Sequence, residues 1–168
     1  MIDIAEMAHS LVRRCETTDP FRIADEIGVD VSYADLGNLK GMYSYIKRNR
    51  FIVVNQELGD VERRVVCAHE LGHDQRHRDL ARNKWLHDFM LYNMNAQPEY
   101  EANLFAAELL LPDKDVLSVI ADSDGDYFST SRALYVPPEL LGFKLFSMAK
   151  RGYAVKNPID LDSRFLRR

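Results

Sequence analysis

The chain has 168 residues, of which 46% are hydrophobic and 29% charged, and its formal net charge is -4. That length suits one domain with room for a small appended piece, and it holds enough apolar residues to close a core without disulfides or an obligatory structural metal. The acidic balance excludes a broad nucleic-acid-coating role, which needs a clustered excess of Lys and Arg.

The N-terminal stretch carries Asp3, Glu6, Arg13 and Arg14 where a signal peptide would have a basic start and an apolar run. Ile4, Met7, Ala8, Leu11 and Val12 fall at helical spacing and predict an amphipathic opening helix. Thr18-Asp19-Pro20 supplies a cap and a first-turn proline for a second short helix, which reaches Ile27 and is closed by Gly28. From Val29 to Asn55 the β-formers Val31, Tyr33, Tyr43, Tyr45, Ile46 and Phe51-Ile52-Val53-Val54 are divided by Gly37, Gly41 and Arg48-Asn49-Arg50. They predict a small antiparallel sheet whose last two strands form a hairpin around residues 48–50. Gly59-Asp60 caps a helix from Val61 to His77, whose stripe Val65, Val66, Ala68 and Leu71 would dock on the sheet.

Residues 78–98 are mixed: Trp85, Phe89, Met90 and Leu91 suggest a helical piece, and Asn93 to Pro98 a loop. Pro98 opens a strong helix from Glu99 to Leu111, ended by Pro112. After Asp122-Ser123-Asp124-Gly125, two short helical patterns flank Val136-Pro137-Pro138. The fold class is therefore α+β, a small antiparallel sheet packed on helices with a helical C-terminal extension. The main domain is expected over 1–122, with its core at about 28–112, and the extension over 123–168. Cys15 and Cys67 are the only cysteines and neither belongs to a CxxC pair, so they read as free thiols. No window approaches the roughly 20 apolar residues needed to cross a bilayer. A soluble, cytoplasmic protein is expected.

The segment His69-Glu70-Leu71-Gly72-His73 is an HExxH motif. Four residues are slightly more than one helical turn, so both imidazoles stand on one face, about 6 Å apart along the axis. That spacing lets both reach one Zn2+ ion at roughly 2.0–2.1 Å. Glu70, one residue on, lies beside the metal, where it can take a proton from the attacking water and deliver it to the leaving amine. Five-residue patterns with three fixed positions also arise by chance, so the third ligand decides. Catalytic zinc commonly keeps three protein ligands and one open position.

His77 shares the face of His69 and His73 but lies about 12 Å along the helix from His69, which suits a capping or supporting role. Asp79 occupies the third-ligand position of the longer HExxHxxGxxH pattern, but Arg76 stands where that pattern needs glycine. The acidic helix Glu99-Tyr100-Glu101-Ala102-Asn103 remains, able to complete a His₂Glu site with Glu99 or Glu101. Glu99 is preferred, because Asn103 then falls four residues later on the same face and can hydrogen-bond a ligand histidine. Glu101 points away and suits a solvated helix charge.

HELGH, followed by EYEANLFAAELLLP and preceded by FIVVNQELGDVERRVVCAHELGH, resembles the ImmA/IrrE family of metallopeptidases over about residues 40–112. The resemblance implies a gluzincin-like zinc peptidase core of sheet plus zincin-type active-site helices. It implies His69 and His73 as metal ligands, Glu70 as base and an acidic residue of EYEAN as third ligand. It further implies an antirepressor from a bacterial mobile element, phage or stress-response locus. Such a protein relieves repression by a cognate helix-turn-helix regulator, often through its cleavage. The stretch from Asp79 to Asn95 departs from the family in its richness in aromatics.

Ser129 to Ser147 has the rhythm of two helices around a turn, yet Leu134, Val136, Leu140, Leu141, Leu145 and Phe146 are packing residues. Only Arg132 and Lys144 interrupt them with positive charge, so direct DNA readout is not expected. The strand Phe51 to Asn55 is a possible edge for pairing an extended substrate. Tyr92, Tyr100 and His77 are the candidates for stabilising an oxyanion. A binding protein that sequesters a repressor without cleaving it is the competing reading, and Glu70 separates the two, since a structural site has no use for a general base.

Overall fold

Capping side chains set the start of the chain. The structure, a computed structural model, describes residues 3–82, 85–88, 96–123 and 125–156. Helix α1 (Ile4–Cys15) begins where the Asp3 carboxylate accepts from the Ala5 N–H at 3.2 Å. Helix α2 (Pro20–Glu26) begins where Asp19 accepts from the Phe21 N–H at 3.0 Å. Each cap satisfies an amide that the first helical turn leaves unpaired. Gly28, at φ +74, follows α2 in the left-handed region that side chains rarely adopt.

Four strands follow: β1 (Asp30–Ala34), β2 (Gly41–Ile46), β3 (Asn49–Asn55) and β4 (Trp85–Asp88). They form one sheet in the order β1-β3-β2-β4. The sheet is mixed rather than wholly antiparallel, because β1 pairs parallel with β3 while β2 is antiparallel to both β3 and β4. The chain leaves β1, skips one strand position, and returns through the hairpin so that β3 enters beside β1 in the same direction. Strand β3 is consequently interior, and the expected substrate edge at Phe51–Asn55 is corrected: the outer strands are β1 and β4.

The hairpin turn falls at Lys47-Arg48, one residue before the expected Arg48-Asn49-Arg50. Both residues have positive φ, 49° and 70°, and Ile46 pairs with Asn49, giving a two-residue loop whose twist matches the strands. The core decides this register. It sets Tyr43 opposite Ile52, with both side chains fully buried, and a one-residue slip would turn a strand's apolar set outward. Strand β4 is a further correction, since Trp85 was expected in a helical piece. Pairing from Ser44↔Trp85 to Gly41↔Asp88 gives this segment a complete ladder partner, which outweighs a weak helical periodicity. Phe89, Met90, Leu91 and residues 93–95 lie outside the described residues.

Helix α3 (Asp60–Arg76) packs on β2 and β3, with Val65, Val66, Ala68 and Leu71 buried as the stripe required. Helix α4 (Gln97–Leu110) packs against α3 and α1. Gly72 permits the approach of α3 to α4: a Cβ there would stand 2.9 Å from the Ala102 Cα, so any side chain would hold the helices apart. Beyond Pro112 the chain continues into α5 (Asp113–Asp122), a helix not singled out in the sequence although Val116, Val119 and Ile120 fall at helical spacing. Helices α6 (Tyr127–Ala133) and α7 (Pro138–Lys150) are the two patterns flanking Val136-Pro137-Pro138. Helix α7 lies against α4, and its Lys144 is fully buried. The α+β class with a helical C-terminal part holds. No helix among the described residues is long and apolar enough to cross a membrane.

Candidate metal centre

His69 and His73 stand one turn apart on α3, fully buried, with their Nε2 atoms 3.1 Å from each other. Glu99, in the first turn of α4, brings Oε2 to 3.3 Å from His69 Nε2 and Oε1 to 3.6 Å from His73 Nε2. Donors about 2.0–2.1 Å from a tetrahedral ion would be spaced by about 3.4 Å, and these separations bracket that value. The Asn103 Oδ1 lies 2.9 Å from His69 Nδ1. Accepting from an Nδ1–H there, it turns the His69 Nε2 lone pair toward the cluster. The residues present therefore fit a divalent cation. Burial would raise the Glu99 carboxyl, but the His69 and His73 imidazoles outweigh it and hold it well below the ordinary carboxylate range.

Glu70 is fully buried on the same helix. It packs over Gly41 at the start of β2, where an added Cβ would overlap Glu70 Oε1 and Val66 Cγ1. The sequence presents Gly41 only as a divider between β-formers. A glycine at a strand position, rather than in a turn, was the available signal of a close approach. Gly41 pairs with Asp88, so the outermost strand β4 runs past the Glu70 side of the cluster.

Glu101 overturns the expectation of a solvated charge. It is buried, its Oε2 accepts from Arg76 Nε at 3.1 Å and Nη2 at 2.9 Å, and its Oε1 accepts from Gln97 Nε2 at 2.8 Å. Burial pushes its carboxyl up, while the Gln97 and Arg76 donors pull it below its ordinary value on balance. Two residues do rotate Glu101 off the Glu99 face, but α3 continues past His73, and its last turn covers that second face. His77, the C-cap of α3, lies with Nδ1 3.1 Å from His73 Nδ1 and Nε2 3.3 Å from Glu101 Oε2. Burial, then His73, holds its imidazole below the usual value.

The other residues singled out in sequence fall elsewhere. Asp79 is exposed, 3.6 Å from Arg82. Tyr100 is buried against Phe143 with ring centroids 5.8 Å apart, and burial pushes its phenol up to about 12. Tyr92 lies outside the described residues. Asp74, absent from the sequence argument, is a fully buried anchor beside His73. It accepts from Tyr43 at 2.8 Å, Arg50 at 3.2 Å and Arg78 at 3.1 Å, fastening α3 to β2 and β3. Charge-assisted bonds of this kind hold a helix firmly. The available signal was an acid at the buried stripe of α3 with Arg78 one turn further on to share its charge.

Two histidines on one helix face, joined by a glutamate from a second helix and carrying a buried glutamate between them, define a metallopeptidase type of centre. The chain belongs to the IrrE N-terminal-like domain family of peptidases, whose sequence profile matches residues 24–146. It is similar to "Uncharacterized immunity region protein 2" of Bacillus phage phi105, at 40% identity over 104 residues, 61% of this chain and 65% of that protein. It is also similar to "Metallopeptidase ImmA" of Bacillus subtilis (strain 168), at 28% identity over 115 residues, 66% of this chain and 64% of that protein. The chain thus spans just under two thirds of the length of these relatives. A peptidase family with this donor set implies a metal ion.

Proposed function

We propose that the chain is a cytoplasmic, zinc-dependent endopeptidase that cleaves a cognate helix-turn-helix repressor and so acts as an antirepressor. The observation that carries this reading is the convergence of His69 Nε2, His73 Nε2 and a Glu99 carboxylate within 4.8 Å of one another. Two imidazoles and one carboxylate at tetrahedral spacing suit zinc. In this reading His69, His73 and Glu99 hold the ion, Asn103 orients His69, and Glu70 is the general base. When bound, zinc polarises the scissile carbonyl and makes water nucleophilic near neutral pH. Glu70 takes that water's proton and passes it to the leaving amine, so that one peptide bond yields a carboxylate and an amine. The substrate lies extended along the outer edge of β4, with main-chain hydrogen bonds supplying affinity and side-chain pockets supplying choice.

The repressor as substrate is supported by the ImmA/IrrE resemblance and by the phage relative, which is named for an immunity region. The competing reading, relief of repression by binding alone, leaves a buried glutamate beside the donor cluster without a task. The test is Glu70→Gln, which keeps size and polarity but cannot accept the proton. The variant should keep about one zinc per chain while cleavage of the regulator encoded beside the gene falls about 10²–10⁴-fold. Should it relieve repression as fully as the wild type, hydrolysis is not the mechanism and the binding reading replaces it.

A further inference from the structure

We infer that His77 and Glu101 are positioning residues: a chain of hydrogen bonds Glu101–His77–His73 fixes the tautomer of His73 and aims its Nε2 lone pair at the donor cluster. The inference rests on His73 being a metal ligand, as proposed above. Its links are His77 Nε2 to Glu101 Oε2 at 3.3 Å and His73 Nδ1 to His77 Nδ1 at 3.1 Å, both between buried side chains.

With the His73 Nε2 lone pair given to a divalent ion, each link admits one direction. An ionised carboxylate only accepts, so His77 must present Nε2–H to Glu101. A neutral imidazole with a proton on Nε2 has a lone pair on Nδ1, so His73 must present Nδ1–H to His77. The His73 Nε2 is then free of a proton, and it is the atom that faces His69 Nε2 at 3.1 Å and Glu99 at 3.6 Å. The opposite arrangement fails at one end or the other. With His73 protonated on Nε2, two Nδ1 lone pairs would face each other at 3.1 Å. Reversing His77 as well would set its Nε2 lone pair against the Glu101 carboxylate. Either leaves buried acceptors opposed, at the cost of unmet hydrogen-bonding groups in a dry interior, whereas the His69 and His73 Nε2 lone pairs, also 3.1 Å apart, would both be satisfied by a shared divalent ion.

Arg76 and Gln97 complete the device. Two N–H groups of Arg76 occupy Glu101 Oε2 and Gln97 occupies Oε1, so both oxygens are held away from the cluster. The two histidines are therefore oriented differently. His69 leans on the neutral amide of Asn103, whereas His73 leans through a second imidazole on an ionised carboxylate, which raises its basicity as a ligand.

The test uses zinc-loaded protein labelled with ¹⁵N in its histidines, in which two-bond ¹H–¹⁵N correlations report each ring's tautomer. The expected spectrum shows His73 with Nδ1–H and His77 with Nε2–H. His77→Leu should weaken zinc about 10–100-fold in competition with a chelator. His77→Asn, whose amide oxygen can accept from His73 as Asn103 does from His69, should restore most of the affinity, which a purely space-filling role would not do. Finding His77 as Nδ1–H, or doubly protonated, overturns the inference without any variant. So does an unchanged affinity in His77→Leu. Wild-type protein that takes up no zinc brings down the metallopeptidase reading, and brings down the hydrogen-bond chain only if His77 also lacks the Nε2–H toward Glu101.

Discussion

Helix α4 carries a buried polar cluster toward each end, and the two contain the same kinds of donor. Near its start, Glu99 meets His69 and His73; near its end, Glu108 meets His9 at 2.7 Å with Asp113 close by. In both, one imidazole or two and the carboxylates come within 4.8 Å of one another. The difference is the cations. Lys144 Nζ lies 2.6 Å from both Glu108 and Asp113, and Arg151 reaches the same two carboxylates at 3.1 and 2.6 Å. The charge at that end is already balanced from within the chain. Among the described residues no Lys or Arg reaches Glu99; Arg76, the nearby cation, is committed to Glu101. Proximity of donors is thus shared by a scaffold joint and the proposed metal site, and what separates them is whether the protein supplies the positive charge itself.

That contrast is broken most severely at Lys144. Its fully buried ammonium joins α7 to α4 and α5, and removing one member of a buried pair strands the opposite charge. Lys144→Met should cost about 3–5 kcal/mol in urea unfolding of the metal-free protein, while the zinc content of the folded fraction stays near that of the wild type. Loss of zinc from protein that is still folded would mean the two ends of α4 are coupled. A smaller effect is expected at the other end. Gly41→Ala places a methyl group where Glu70 and Val66 now sit, and such overpacking costs about 1–3 kcal/mol. Because the methyl displaces Glu70 rather than the histidines, hydrolysis should fall further than zinc affinity. Equal losses in both would detach Gly41 from the positioning of Glu70.

The two clusters also differ in how far sequence exposes them. His69, Glu70 and His73 are legible because one helical turn carries all three, and the Glu99–Asn103 register on α4 follows the same rule. Elements fixed by local chemistry are equally readable, as the Asp19-Pro20 start of α2 shows. What escapes depends on partners distant in the chain. The place of β1 beside β3, the strand at Trp85, and the Asp74 anchor all follow from which surfaces meet. Glu101 escapes for the same reason: its helical position is right, but the Arg76–His77 turn that covers it belongs to another helix. Lys144 reads only as a positive charge among packing residues, because nothing near it in sequence reveals Glu108, 36 residues away.

Acid provides the gentlest separation of the clusters. Burial alone would raise the Glu108 and Asp113 carboxyls, but the His9 bond and Lys144 outweigh it at Glu108, and Arg151 and Lys144 outweigh it at Asp113, so both lie below their ordinary values. A carboxyl depressed in the folded state binds protons more readily unfolded. Its stabilisation is therefore complete above the unfolded value, roughly 4, and is lost as pH falls through that value toward the folded one. Metal-free wild-type protein should lose stability between pH 6 and pH 3, and Glu99 and Glu101, depressed as well, contribute to the same slope. Lys144→Met isolates the scaffold cluster, because without its ammonium Glu108 and Asp113 rise toward their unfolded values and lose less on acidification. The stability gap between wild type and variant should accordingly narrow on acidification, by on the order of 1 kcal/mol once the partial exposure of Asp113 is discounted. Urea unfolding of both proteins across that range measures it. A gap that stays constant with pH would show that Lys144 stabilises the joint by packing its methylene stem rather than by holding these two carboxylates ionised.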